Sequence, residues 1–187
     1  VEVAFGTGDH ALPAWELDLG HGRKMAFRGK IDRVDLLVNP ERDEAWCVVL
    51  DYKSSSRKID PLLLEHGIQI QLPAYLAALS RLSDPRGVFG VSRLVPVGVF
   101  YVNLRGDYGR GASRRAVLDT AEEAVRQAYR HLGQFSLRAL PELDRSHAQT
   151  GVKSGQFSYQ VTKDGRPYKN STSVVEHEQF VAMLGRV

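Results

Sequence analysis

Two short segments carry the residues whose types and spacing could do chemistry. They are Gly29-Lys30-Ile31-Asp32-Arg33-Val34-Asp35 and Val48-Val49-Leu50-Asp51-Tyr52-Lys53-Ser54-Ser55. Both read as strands. Side chains at i and i+2 of a strand point the same way, so Asp51 and Lys53 share a face. A carboxylate beside an ammonium, joined by a second carboxylate (Asp32) from a nearby strand, makes a site for a divalent cation with a fixed positive charge alongside. Hard oxygen donors suit magnesium or manganese. Such an ion polarises a phosphate and activates water, and a lysine steadies the negative charge that develops. The set is equipment for metal-assisted phosphodiester hydrolysis. Asp-x-Lys by itself is common on solvated outer faces. What singles this pair out is the run Trp46-Cys47-Val48-Val49-Leu50 before it, continuously apolar as in a strand buried on both faces.

A polar, basic loop follows, Ser54-Ser55-Ser56-Arg57-Lys58, and then residues 67–79 read as a helix. Gln71 and Tyr75 are four apart and lie on one helical face. In combination, G-x-x-D-R-x-D, D-Y-K-S and Q-x-x-x-Y resemble the signature of RecB-type nucleases of the PD-(D/E)XK superfamily. Within that group the wording of residues 29–35, 48–55 and 67–76 is most similar to the C-terminal nuclease domain of the B subunit of AddAB-type helicase–nucleases. The tail adds a weaker likeness at residues 156–159, 163–167, 171–174 and Phe180, so the resemblance spans nearly the whole chain.

The resemblance implies an α/β fold with a restriction-endonuclease-like core, a central mixed sheet flanked by helices, as one domain over residues 1–187. It implies Asp32 and Asp51 as metal ligands with the backbone carbonyl of Tyr52 as a further one, and Lys53 as the catalytic lysine. Gln71 and Tyr75 become helix residues that support the site or touch the nucleic-acid backbone. Magnesium or manganese is the implied cofactor, DNA the implied substrate, and a helicase–nuclease subunit the implied partner. The implied activity is exonuclease cleavage in double-strand break processing. Asp35 lies an odd number of residues from Asp32, faces away on a regular strand, and is expected to pair with Arg33 or a loop base. Family members carry a further His or acidic ligand on a helix upstream of the first strand. Glu2 and His10 are the substitutes on offer here, and the chain, which starts at Val1, is expected to be a piece of a larger polypeptide. Many relatives of this type hold an iron–sulfur cluster with four cysteines. This chain has only Cys47, in an apolar strand where a thiol behaves as a small hydrophobe, so no cluster is expected from these residues.

Composition fits one globular domain: 187 residues with 43% apolar. The longest apolar runs are far short of a membrane span, the first residues do not read as a signal peptide, and one cysteine leads to the expectation of a cytoplasmic protein. The net charge is only +3, but a pI near 9.1 leans basic, compatible with a polyanionic partner. Arg57 and Lys58 sit beside the proposed site, and Arg105, Arg110, Arg114 and Arg115 crowd a glycine-rich loop. Beside a nuclease motif these are expected phosphate contacts, Arg57, Lys58, Arg105 and Arg110 foremost.

The elements that must position these residues follow from periodicity and turn chemistry. Strands are expected at residues 14–19, 24–38 (one long strand or a bent pair), 45–53, 94–104 and 156–162. Helices are expected at 61–82, 113–140 and 174–184, with turns at 39–44, 83–87 and 163–165. Residues 150–155 lack the order of a phosphate loop, and six histidines show no zinc spacing. Besides the helicase–nuclease reading, two others are weighed. One is a DNA-binding domain with an incomplete site. The other is a stand-alone restriction-like or phage nuclease, against which the match through the tail argues.

Overall fold

A computed structural model describes residues 2–6, 12–55, 57–104, 111–119, 121–145, 154–159, 161, 162, 164, 166, 168 and 172–186. The chain folds around a five-stranded mixed sheet in the order β5-β6-β7-β8-β9. These strands are Arg33–Asn39, Glu44–Lys53, Arg93–Asn103, His131–Ser136 and Val174–Val175. β5 and β8 run antiparallel to β6 and β7, whereas β6/β7 and β8/β9 pair in parallel. Two small antiparallel pairs precede them: β1 (Val3–Phe5) with β4 (Gly29–Ile31), and β2 (Trp15–Asp18) with β3 (Lys24–Phe27).

β6 and β7 are the buried spine, and their side chains alternate between two cores. On the near face, Ala45, Cys47 and Val49 pack with Leu72, Leu76 and Leu79 of α2 (Gln71–Ser80) and with Phe180 and Leu184 of α7 (His177–Gly185). On the far face, Val48 and Leu50 pack with Phe100, Phe135, Leu140 and Phe157. Cys47 is fully enclosed and burial pushes its thiol up to about 12, which fits a structural role.

The expected helix over residues 61–82 is broken in two. Asp60 caps α1 (Pro61–Glu65) by accepting from the Leu62 and Leu63 amides, with Pro61 in the first turn. Gly67 then takes φ +70°, and the amides of Gly67 and Ile68 return to the carbonyls of Leu64 and Leu63. That is a Schellman closure, which favours glycine at the left-handed position. Residues 83–87, expected as a turn, include the start of α3 (Pro85–Phe89), capped by Asp84.

The expected helix over residues 113–140 is the largest correction. It contains α4 (Arg114–Asp119) and α5 (Ala121–Ala128) and then gives way to β8, a full member of the central sheet. Leu132, Phe135 and Leu140 fit a helical stripe, but Phe135 reaches the far core only because β8 hydrogen-bonds to β7, a non-local pairing that overrides local period. α6 (Leu140–Leu143) follows. The expected strand over 156–162 is reduced to isolated bridges at Phe157 and Val161. The last helix starts at His177, after β9. Among the described residues no helix is long and apolar enough to cross a membrane.

The sign of one substitution separates the two readings of residues 131–136. Alanine for glycine inside a helix stabilises by about 1 kcal/mol. A Cβ on Gly133 would instead meet the Val99 carbonyl oxygen and lie 2.8 Å from the Phe100 Cα of β7. Gly133→Ala is therefore expected to cost about 1–3 kcal/mol, read as a lower midpoint in urea.

Candidate active site

Asp32 sits at a break. The chain pairs with β1 through Ile31 and with β6 from Arg33 onward, so Asp32 lies where it changes sheets. The ladder with β6 ends at Arg33↔Leu50, so Asp32 lies one residue beyond it, at the end of β6 that carries Asp51 and Tyr52. The Tyr52 amide donates to Asp32 Oδ2 at 2.9 Å, which fixes that carboxylate against the Asp51–Tyr52 peptide. Asp32 is otherwise exposed.

Asp51 is the last deeply buried residue of β6, at 4% exposure. Lys53 Nζ stands 2.6 Å from its Oδ2, as strand geometry expects of an i, i+2 pair. The two are a close ion pair without hydrogen-bond alignment, and this buried oxygen makes no hydrogen bond. A buried carboxylate oxygen with spare acceptor capacity is costly unless something compensates it.

The neighbouring strand contributes two residues that the sequence analysis missed. The β6/β7 register shifts between Cys47 and Val48, so Cys47 pairs with Pro96 but Val48 with Gly98. This irregularity flips the alternation of β7. Val95 and Val97 face the far core, whereas Val99 and Tyr101 face the near one. Tyr101 thereby pairs with Asp51, and Asn103 with Lys53. Burial, and then the Asp51 charge, raise the Tyr101 hydroxyl above its ordinary value, and Lys53 Nζ lies 5.9 Å over its ring. Asn103 is buried and accepts from the Arg57 amide at 3.0 Å, while the Leu104 amide donates to the Lys53 carbonyl at 2.8 Å. The loop after Lys53 is thus strapped to β7, with Arg57 and Lys58 exposed beside it. The i, i+2 spacing of Tyr101 and Asn103 repeats that of Asp51 and Lys53 and was the available signal.

Helix α2 presents Gln71 and Tyr75 together, and Gln71 Nε2 donates to the Tyr75 hydroxyl at 3.2 Å. Tyr75 packs edge-on against Phe5, with ring centroids 5.6 Å apart. Leu72, Leu76 and Leu79, on the other side of the helix, enter the near core. Gly29 explains itself here. A Cβ at that position would lie 3.0 Å from the Tyr75 ring and 3.3 Å from Phe5. The glycine that opens the first motif is the seat of the tyrosine that closes the third.

Other expected residues fall elsewhere. Asp35 accepts from Arg33 Nε at 2.7 Å. Glu2 pairs with Lys30 at 2.9 Å, which engages one of the two substitutes for an upstream ligand. His10, Arg105 and Arg110 lie outside the described residues. Among the described residues no group of three or more His, Cys, Asp and Glu converges, so the side-chain donors here are two carboxylates. An all-oxygen donor set with one deeply buried carboxylate fits a hard cation such as magnesium or manganese better than zinc, whose sites are built mainly from Cys and His. A cavity of about 250 Å³ lies apart, lined by residues including Pro61, Gln134, Met183 and Arg186, and shares no residue with this site.

A family model described as the PD-(D/E)XK nuclease superfamily matches residues 1–155. Similar curated proteins are named as the B subunit of an ATP-dependent helicase/deoxyribonuclease. That of Alkaliphilus metalliredigens is 30% identical over 191 residues, covering 100% of this chain and 15% of the relative. That of Symbiobacterium thermophilum is 33% identical over 190 residues, covering 100% and 16%. That of Clostridium tetani is 33% identical over 187 residues, covering 96% and 15%. The chain therefore spans about 15% of the length of these relatives.

The seating of Tyr75 on Gly29 is testable by stability alone. Gly29→Ala is expected to cost about 1–3 kcal/mol by overpacking. Combined with Tyr75→Ala, which removes the ring, the double variant should be less destabilised than the sum of the singles. Strict additivity in chemical denaturation would show that the two residues do not touch.

Proposed function

The chain belongs to the PD-(D/E)XK nuclease superfamily, and we propose that it is the metal-dependent DNA exonuclease domain of a helicase–nuclease. On this reading residues 1–187 form one nuclease domain within a longer polypeptide, acting with a partner subunit in double-strand break processing. The observation that supports the reading is two carboxylates at the end of one strand: Asp51, buried and 2.6 Å from Lys53, and Asp32, which accepts from the Tyr52 amide at 2.9 Å.

Asp32, Asp51 and the Tyr52 carbonyl would hold magnesium or manganese, which when bound supplies Lewis-acid activation of water and phosphate. Lys53 would donate to the phosphate oxygen that gains charge in the transition state. Asp51 and the Tyr101 ring restrict where its ammonium can go. Gln71 would meet the DNA backbone or orient a carboxylate, held for that task by Tyr75. Arg57 and Lys58, exposed on the strapped loop, would take phosphates flanking the scissile one. Arg105 and Arg110 are proposed for the same role. Such contacts position a strand without reading its bases.

A second reading rests on Glu2, whose carboxylate is engaged by Lys30. If neither Glu2 nor His10 reaches the metal, leaving the two carboxylates found at the site among the described residues, the domain would bind DNA without cutting it. Magnesium-dependent cleavage by the natural full-length protein separates the two readings. Asp51→Asn is expected to abolish cleavage, and Lys53→Ala to slow it on the order of a hundredfold, both with DNA binding intact. Gln71→Ala should lower cleavage with little change in melting temperature, because Gln71 is exposed and no core packing is lost. Unchanged cleavage in the Asp51→Asn protein would place the chemistry elsewhere.

A further inference from the structure

Arg33 plays no part in the chemistry described so far, yet it is tied to the site from behind. Register pairs it with Leu50 of the far core, whereas Val34 beside it enters the near core. Its guanidinium therefore lies on the face of the sheet opposite Asp51 and Lys53. There Nη1 donates to the Tyr52 hydroxyl at 3.2 Å and Nε donates to Asp35 Oδ1 at 2.7 Å. These hydrogen bonds hold the Arg33 proton above its ordinary range.

Tyr52 is consequently gripped at both ends. Its hydroxyl is held by Arg33 and its amide by Asp32, two adjacent residues of one segment. Tyr52 is also the residue between Asp51 and Lys53. A strand is a pleated ribbon in which neighbouring side chains project to opposite faces. Rotating the ribbon at Tyr52 on the far face therefore tilts Asp51 and Lys53 on the near one, and swings the Tyr52 carbonyl.

We propose that Arg33 is a positioning residue for the nuclease site. Its fork, braced on Asp35, clamps the Tyr52 phenol and so sets the direction of the Asp51–Lys53 pair, the Tyr52 carbonyl and the Asp32 carboxylate. The proposal rests on the nuclease reading above. It explains why Asp35 follows Arg33 by two residues: i, i+2 spacing brings both side chains to the far face, where the carboxylate orients the guanidinium. A lysine at position 33 would keep the charge but lose the planar fork that serves two acceptors at once.

The test uses the natural full-length protein assembled with its partner, as Arg33→Met, Arg33→Lys, Tyr52→Phe and the Arg33→Met/Tyr52→Phe double variant. Cleavage kinetics are measured on DNA, and Mn²⁺ binding is measured without DNA by electron paramagnetic resonance. Each single variant should lower kcat and weaken Mn²⁺ binding on the order of ten- to a hundredfold, as loss of an outer partner of a metal ligand does. KM for DNA should hold, Arg33→Lys should not rescue, and the double variant should be no worse than the poorer single, because the pair acts as one unit. A raised KM with shallower salt dependence, and normal kcat and Mn²⁺ affinity, would make Arg33 a phosphate contact and overturn the proposal. A lower melting temperature with normal kcat and Mn²⁺ affinity would make it merely structural and would overturn the proposal as well. Asp51→Asn is run in parallel. If that variant cuts normally, the nuclease reading itself has failed. If it is dead while Arg33→Met and Tyr52→Phe are normal, only the clamp has.

Discussion

The hydrogen bond from the Tyr52 amide to the Asp32 carboxylate is the interaction on which the site depends. It joins two strands at the point where one of them has just left another sheet. β4 ends at Ile31 and β5 begins at Arg33, so Asp32 belongs to neither ladder and its side chain can take the free amide of β6. The antiparallel register brings β5 to the end of β6 with Arg33 beside Leu50, one residue short of Asp51. A slip of one residue would send every side chain of β5 to the other face. The apolar pattern forbids this, since Val34 must reach the near core.

A second constraint is the burial of charge. Asp51 lies at the end of a strand whose preceding residues are all but dry. A carboxylate there loses much of its hydration, which is costly even when it is paired. Lys53 offsets part of that loss from the same strand. A hard cation held by Asp51 and Asp32, as proposed, would offset more. Tyr101 supplies a ring under the ammonium, and Asn103 with the Leu104 amide holds the backbone that follows.

The parts legible in the sequence were those set by local period. Asp51 and Lys53 on one face follow from a strand repeat of two. Gln71 and Tyr75 on one face, with Leu72, Leu76 and Leu79 on another, follow from the helical repeat. What stayed hidden was non-local. Tyr101 joins the Asp51 face only because of a register shift near Pro96, without which Phe100 would be there. β8 was read as helix because its apolar residues fit a helical stripe, and only pairing with β7 decides otherwise. The break at Gly67 was available in principle, since glycine in a left-handed cap is a stop signal, but the apolar stripe runs across it. The reason for Gly29 required knowing that α2 returns over β4. The backing of Tyr52 by Arg33 required knowing which face each residue takes.

At the proposed site Asp32 and Asp51 hold one divalent ion between them. Crystals grown with Mn²⁺ and recorded near the manganese absorption edge test it directly. An anomalous peak is expected within about 2.5 Å of carboxylate oxygens from both Asp32 and Asp51, with the Lys53 ammonium alongside and outside the coordination sphere. A manganese ion seated away from these two carboxylates, or no ion there in a protein that cleaves DNA with manganese, would contradict it.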